Sequence, residues 1–164
     1  MNEFTNMISM TGENKMKYHT DNELQNFRFE GTYIAETCAV NGIFEMILDN
    51  VTILPQNSCN RDIREMRANG LKLKIREPLI EALIEEGYKV YDANGNLREK
   101  KEDIVIEPEN WTVKLKELEG CEIYSIERRD GVYTVSIDTE DHTFMIKVSG
   151  STDVEEWDRF LSKD

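Results

Sequence analysis

Chemistry near neutral pH falls first to histidine, and the chain holds two, His19 and His142. His142 follows Asp138, Glu140 and Asp141 at what reads as a hairpin tip. General acid–base work needs a nucleophile or substrate within hydrogen-bond reach, and no spacing aims Ser125, Ser136 or Cys121 at this imidazole. It reads as a solvated turn histidine, and His19, in a polar N-terminal stretch, has a weaker claim. The three cysteines, Cys38, Cys59 and Cys121, are odd in number and far apart, with no CxxC pair and no Cys/His spacing of a zinc site. They read as reduced thiols of a cytoplasmic protein, packed as small hydrophobes. Asp92-Ala93-Asn94-Gly95-Asn96 resembles the opening of a calcium loop, but Leu97 replaces the glycine required at the sixth position and Asp103 the bidentate Glu at the twelfth. A hairpin turn explains the same residues. No GxxxxGK[ST], GxGxxG, GxSxG or HExxH occurs. The expectation is a protein without catalytic residues, metal or cofactor.

Charge is more informative. The 164 residues carry 33 acids against 20 bases, a net charge of −13, which argues against a general nucleic-acid binder. No apolar run approaches the ~20 residues of a membrane span, and Met1–Asn26 lacks the apolar stretch of a secretory signal. Residues 61–77 hold Arg61, Arg64, Arg67, Lys72, Lys74 and Arg76 against three acids, whereas residues 117–164 hold thirteen acids against five bases. Placed on a helix, Arg61, Arg64 and Arg67 would form one basic ridge. Either the ridge pairs with the protein's own acids, or it is half of a self-complementary interface or an anion contact. Glu122, Asp138, Glu140, Asp141, Glu155 and Asp158 are the candidate acidic partner-binding face.

The elements that would position these residues follow from periodicity and turn chemistry. Residues 1–26 read as a flexible arm, and residues 27–164 as one α+β domain, an antiparallel sheet of about seven to nine strands. Phe27, Phe29, Gly31, Tyr33 and Ala35 alternate as one face of a strand, and Asn41-Gly42 turns it into a hairpin with residues 43–54. The apolar phase flips at Asp49-Asn50, as a bulge or second turn requires. A helical insertion is expected at Arg61–Ala68, stopped by Asn69-Gly70, and a second helix from Pro78 to Gly87 on the stripe Leu79, Ile80, Leu83, Ile84. Asn94-Gly95 makes a second hairpin. Trp111, Val113 and Leu115 alternate as a strand. Residues 121–127, 132–138 and 143–148 form a clean meander. Thr152-Asp153-Val154-Glu155 has the form of a capping box, with Val154, Trp157, Phe160 and Leu161 on the expected C-terminal helix.

The stretch from Cys121 to Leu161, with Phe144-Met145-Ile146-Lys147-Val148 followed by Trp157 and Phe160, resembles the ending of pleckstrin-homology-like domains, a meander closed by a Trp-bearing helix. That resemblance implies recognition of phosphoinositides or peptides through basic loops near the first hairpin, where this chain offers Arg28 alone. The function expected from the charge pattern is non-catalytic binding of another protein with a basic surface, in the manner of a bacterial or phage inhibitor or immunity protein. Direct binding of nucleic acid or membrane is not expected. A small-ligand or weakly catalytic pocket lined by Phe29, Tyr33, Phe44 and Trp111 is a second reading, and a structural homodimer a third.

Overall fold

Turns at Gly31, Asn50 and Gly70 decide how the chain is laid out. Their φ angles are 82°, 64° and 69°, the left-handed region that Gly and Asn enter at least cost. In the computed structural model, which describes residues 16–40 and 42–163, each turn lets the chain leave one sheet and enter another. Thus β2 (Phe27–Arg28) leads into β3 (Thr32–Cys38), β4 (Glu45–Asp49) into β5 (Val51–Ile53), and β6 (Met66–Ala68) into β7 (Leu71–Arg76). β15 (Thr152–Trp157) and β16 (Leu161–Ser162) repeat the arrangement. One sheet therefore contains the run β15-β7-β4-β3, and a four-stranded sheet contains the matching run β16-β6-β5-β2. The corner is fastened by two reciprocal bonds. The Asn50 N–H donates to Asn69 Oδ1 at 2.9 Å, and the Gly70 N–H to Asp49 Oδ1 at 2.8 Å.

The larger sheet has ten strands. β1 (Tyr18–Asp21) forms one edge on β15, and beyond β3 come β12 (Glu122–Arg129), β13 (Val132–Asp138), β14 (Thr143–Ser149), β8 (Leu79–Glu85) and the edge strand β11 (Ile104–Val105). A two-stranded ribbon, β9 (Tyr88–Tyr91) and β10 (Leu97–Lys101), pairs with no other strand among the described residues. Every pairing is antiparallel. Among the described residues there are sixteen strands and one short α-helix, α1 (Trp111–Glu117). The fold is thus mostly antiparallel β, with twice the expected strand number, rather than α+β. The core includes Ile34, Met46, Leu48, Ile53, Leu71, Leu73, Ile123, Tyr133, Ile146 and Trp157, all within 1 % of full burial.

The meander from residue 121, the Asn94-Gly95 hairpin and the break at Asn50 are as the sequence predicts. Three expected helices and one expected strand are not. Residues 61–65 form turns, because Asn57, Asn60 and Asp62 each accept the backbone N–H two residues on, a local pattern that competes with helix. Residues 79–85 are a strand with a bulge at Glu81: Ile80 and Leu83 pair with Val148 and Ile146, so one inward face acquires a spacing of three that imitates a helix. Residues 152–157 are β15, and Trp157 is buried on it. Residues 111–117 are the helix, with Leu115 and Leu118 buried and Val113 exposed. Alternation also fails at Gly31, whose turn leaves Tyr33 exposed and Ile34 buried. Of the expected arm, residues 18–26 hold β1 and a 3-10 turn, Leu24–Asn26, and residues 1–15 lie outside the described residues, as does Asn41 of the first expected hairpin.

Candidate functional site

β8 and β11 are two sides of one long hairpin that runs past the end of the sheet and continues as the ribbon. Its root is held where the Glu86 N–H donates to the Thr143 carbonyl at 2.8 Å and the Gly87 N–H to Asp103 Oδ1 at 2.7 Å. A side chain at residue 87 would collide with the Lys101 carbonyl, so glycine is required for the two chains to pass this closely. Beyond that root no strand of the described residues pairs with the ribbon, and Tyr88, Val90, Tyr91 and Leu97 are exposed, Tyr91 at 55 % and Leu97 at 51 %. The strand register puts Tyr91 opposite Leu97 and Lys89 opposite Lys100, which share one face; Tyr88, Val90 and Glu99 share the other, with the Tyr88 hydroxyl donating to Glu99 at 2.8 Å.

Next to the root is the β13–β14 tip. A cavity of about 280 Å³ is lined by Glu86, Tyr88, Asp138, Glu140, Asp141 and His142, among others. Three of the acids expected on a binding face therefore meet there, joined by Glu86. Glu122 stands opposite Asp138 in the β12–β13 register and is exposed. The tip is braced by Thr139, whose hydroxyl donates to the His142 carbonyl at 2.9 Å, and Glu85 ties it to the ribbon, accepting from Lys101 at 3.3 Å and lying 3.5 Å from His142 Nδ1. Asp158 does not join this group: it lies on the turn after β15 and accepts the Lys17 N–H at 3.1 Å.

Glu155 is the correction. Expected on the acidic face, it is fully buried in β15, pointing to the same side as Asp153 and Trp157. Burial together with the neighbouring Asp153 carboxylate pushes its pKa up to about 10, so it is a neutral acid at pH 7. Thr20 donates to its Oε1 at 2.7 Å. Asp153 accepts from the Tyr133 hydroxyl at 2.7 Å and the Leu24 N–H at 3.0 Å. The Glu155 proton placed on Oε2, which has no other partner, gives Asp153 a third donor. Loss of solvent and this carboxylate push the Tyr133 phenol well above its ordinary range. The network fastens residues 20–24 to the sheet.

The basic segment is mostly neutralised from within. Arg64 pairs with Asp62 at 2.9 Å, Arg76 with Asp21 at 3.2 Å and Lys74 with Glu156 at 3.5 Å, while Arg67 donates to the Ser162 carbonyl at 3.1 Å. Arg61 lines a separate hollow with Tyr18 and Phe160, so the three arginines form no ridge. His19 is the residue that sequence reasoning undervalued. Strand β1 sets it between Asp21, 2.9 Å from Nε2, and Glu156, 3.0 Å from Nδ1, holding both carboxyls below their usual range. A groove of about 570 Å³ runs beside this cluster, with Phe44, Lys74 and Arg76 on its walls, and every one of these charged groups is already paired. Among the described residues no nucleophile is paired with the imidazole.

Phe29, Tyr33, Phe44 and Trp111 do not line one pocket: Phe29 is core, Tyr33 is exposed, Phe44 borders that groove, and Trp111 donates its Nε1–H to the Ile106 carbonyl at 2.9 Å. All three cysteines are free, with Cys38 exposed rather than packed. Asp92 is a turn acceptor, its Oδ1 taking the Asn94 and Asn96 N–H groups at 2.9 Å. Among the described residues no cluster of metal-ligating side chains occurs, and no helix is long and apolar enough to cross a membrane. The chain matches no protein-family model, no curated protein and no solved structure.

Proposed function

We propose that the protein acts by non-catalytic binding to another protein, as inhibitor or immunity proteins do, and that it works in the cytoplasm. The binding surface is the end of the large sheet where the β13–β14 tip meets the ribbon root. One observation carries this reading: Asp138, Glu140, Asp141 and Glu86 face a common cavity beside the exposed ring of Tyr88. Four carboxylates at one place attract a basic surface and orient its approach, and the aromatic ring supplies desolvated contact area. Salt weakens the attraction, since exposed charges are screened beyond about 10 Å at 0.1 M.

Affinity capture from native lysate tests the reading. The natural chain retains a basic protein at low salt, with less retained at physiological salt, and Glu140→Lys/Asp141→Lys abolishes retention. A natural chain that retains nothing at either salt contradicts it.

A further inference from the structure

The ribbon is built in a way that a lone hairpin in water does not favour. Two-stranded hairpins without a third strand or a packed face are marginal, yet β9 and β10 extend beyond the sheet with four large apolar side chains exposed and, among the described residues, both outer edges unpaired. Its charge is opposite to that of its surroundings. Residues 88–101 carry Lys89, Arg98, Lys100 and Lys101 against Asp92 and Glu99, in a chain of net charge −13. Lys100 pairs with Glu102 at 2.9 Å and Lys101 with Glu85 at 3.3 Å, whereas Lys89 and Arg98 have no ion-pair partner among the described residues. A basic, partly apolar arm thus stands next to an acidic, partly aromatic cavity on the same molecule.

We infer that the ribbon docks on a second copy of this chain, each ribbon laid against the acidic tip of the other. Adjacent arm and cavity suit a two-fold dimer, in which one patch meets its own copy and both contacts form at once. The ribbon face shared by Tyr91, Leu97, Lys89 and Lys100 fits this use, with Tyr91 and Leu97 toward its far end and Lys89 nearer the root. Edge-to-edge pairing of two ribbons through their β10 strands is disfavoured, because it brings Arg98 and the lysines of each β10 against those of the other. The inference rests on the acidic tip being the binding surface, and it adds self-association through that surface to the capture of another protein.

Light scattering on charge-reversed chains decides it. At low salt the natural chain has twice the 19.1 kDa of one copy. Lys89→Glu/Arg98→Glu and Glu140→Lys/Asp141→Lys each halve that mass, because like charges then face each other. Mixing the two variants restores the full mass, since each reversed ribbon meets a reversed tip. All four substitutions fall on exposed residues, and circular dichroism of the single variants checks that the fold is intact. A single-copy mass for the natural chain, or mixed variants that stay monomeric, overturns the ribbon exchange while leaving tip-dependent capture of another protein intact. Tip reversal that alters neither the mass nor the capture overturns the acidic-tip reading itself.

Discussion

Glu155 shows how far a single residue can depart from the role its type suggests. An acid in the most acidic third of the chain invites a place on the surface, yet its carboxyl is buried with Asp153, Tyr133 and Thr20. The consequence for pH has a definite sign. A carboxyl whose folded pKa lies above its unfolded value near 4.5 favours folding most below pH 4.5, and that contribution is lost progressively as pH rises toward about 10. Asp21 and Glu156, both shifted down, act oppositely: their contribution is present above the unfolded carboxylate value and lost as pH falls. Asp21 and Glu156 therefore weaken the fold on the acid side, and Glu155 weakens it progressively on the alkaline side. Glu155→Gln keeps a donor toward Asp153 and removes the ionisation. It should stabilise the fold at pH 8 to 9 by on the order of 2 kcal/mol, seen as a higher melting temperature there, and flatten the alkaline side of the profile. Melting curves from pH 4 to 9 check this, and an alkaline limb of unchanged steepness in the variant contradicts it.

At the scale of elements, legibility depended on whether one face of each strand is uniformly apolar. The meander over β12, β13 and β14 was readable because Tyr133, Val135 and Ile137, and then Phe144, Ile146 and Val148, all turn inward in strict alternation. β15 hides its strand pattern because two of its three inward positions are Asp153 and Glu155, leaving Val154, Trp157, Phe160 and Leu161 to suggest a helical stripe. β8 imitates a helix because one bulged residue turns a spacing of two into three. The candidate site was legible only in part. Asp138, Glu140 and Asp141 share a turn in the sequence, but the ribbon root that joins them is brought there by a strand order, β13-β14-β8, that no local pattern encodes. Gly87 is the element-scale test. Gly87→Ala forces the two chains of the root apart at Lys101, with overpacking typically costing about 1–3 kcal/mol. Amide exchange should quicken across residues 88–101 while residues 132–138 and 144–148 keep their protection; equal loss in both regions would show that the ribbon is not a separable unit.

For the whole molecule, the net charge of −13 is a distribution rather than a coat. Across the outer face of the large sheet, cations on β7 lie between carboxylates of β4, β15 and β1: Lys74 is opposite Glu45, Lys72 is opposite Glu156, and His19 follows in the same row. That face largely neutralises itself. The opposite end of the sheet order does not, because there Asp138, Glu140, Asp141 and Glu86 gather beside an arm of opposite charge. The measurement that bears most directly on the binding surface is hydrogen–deuterium exchange of the natural chain at low salt, over a range of protein concentrations. Protection of residues 88–101 and of residues 138–143 should rise together with concentration and fall together when salt is added. Exchange at both places that is independent of concentration, or protection that rises only elsewhere in the chain, would contradict the docking of the ribbon on the acidic tip.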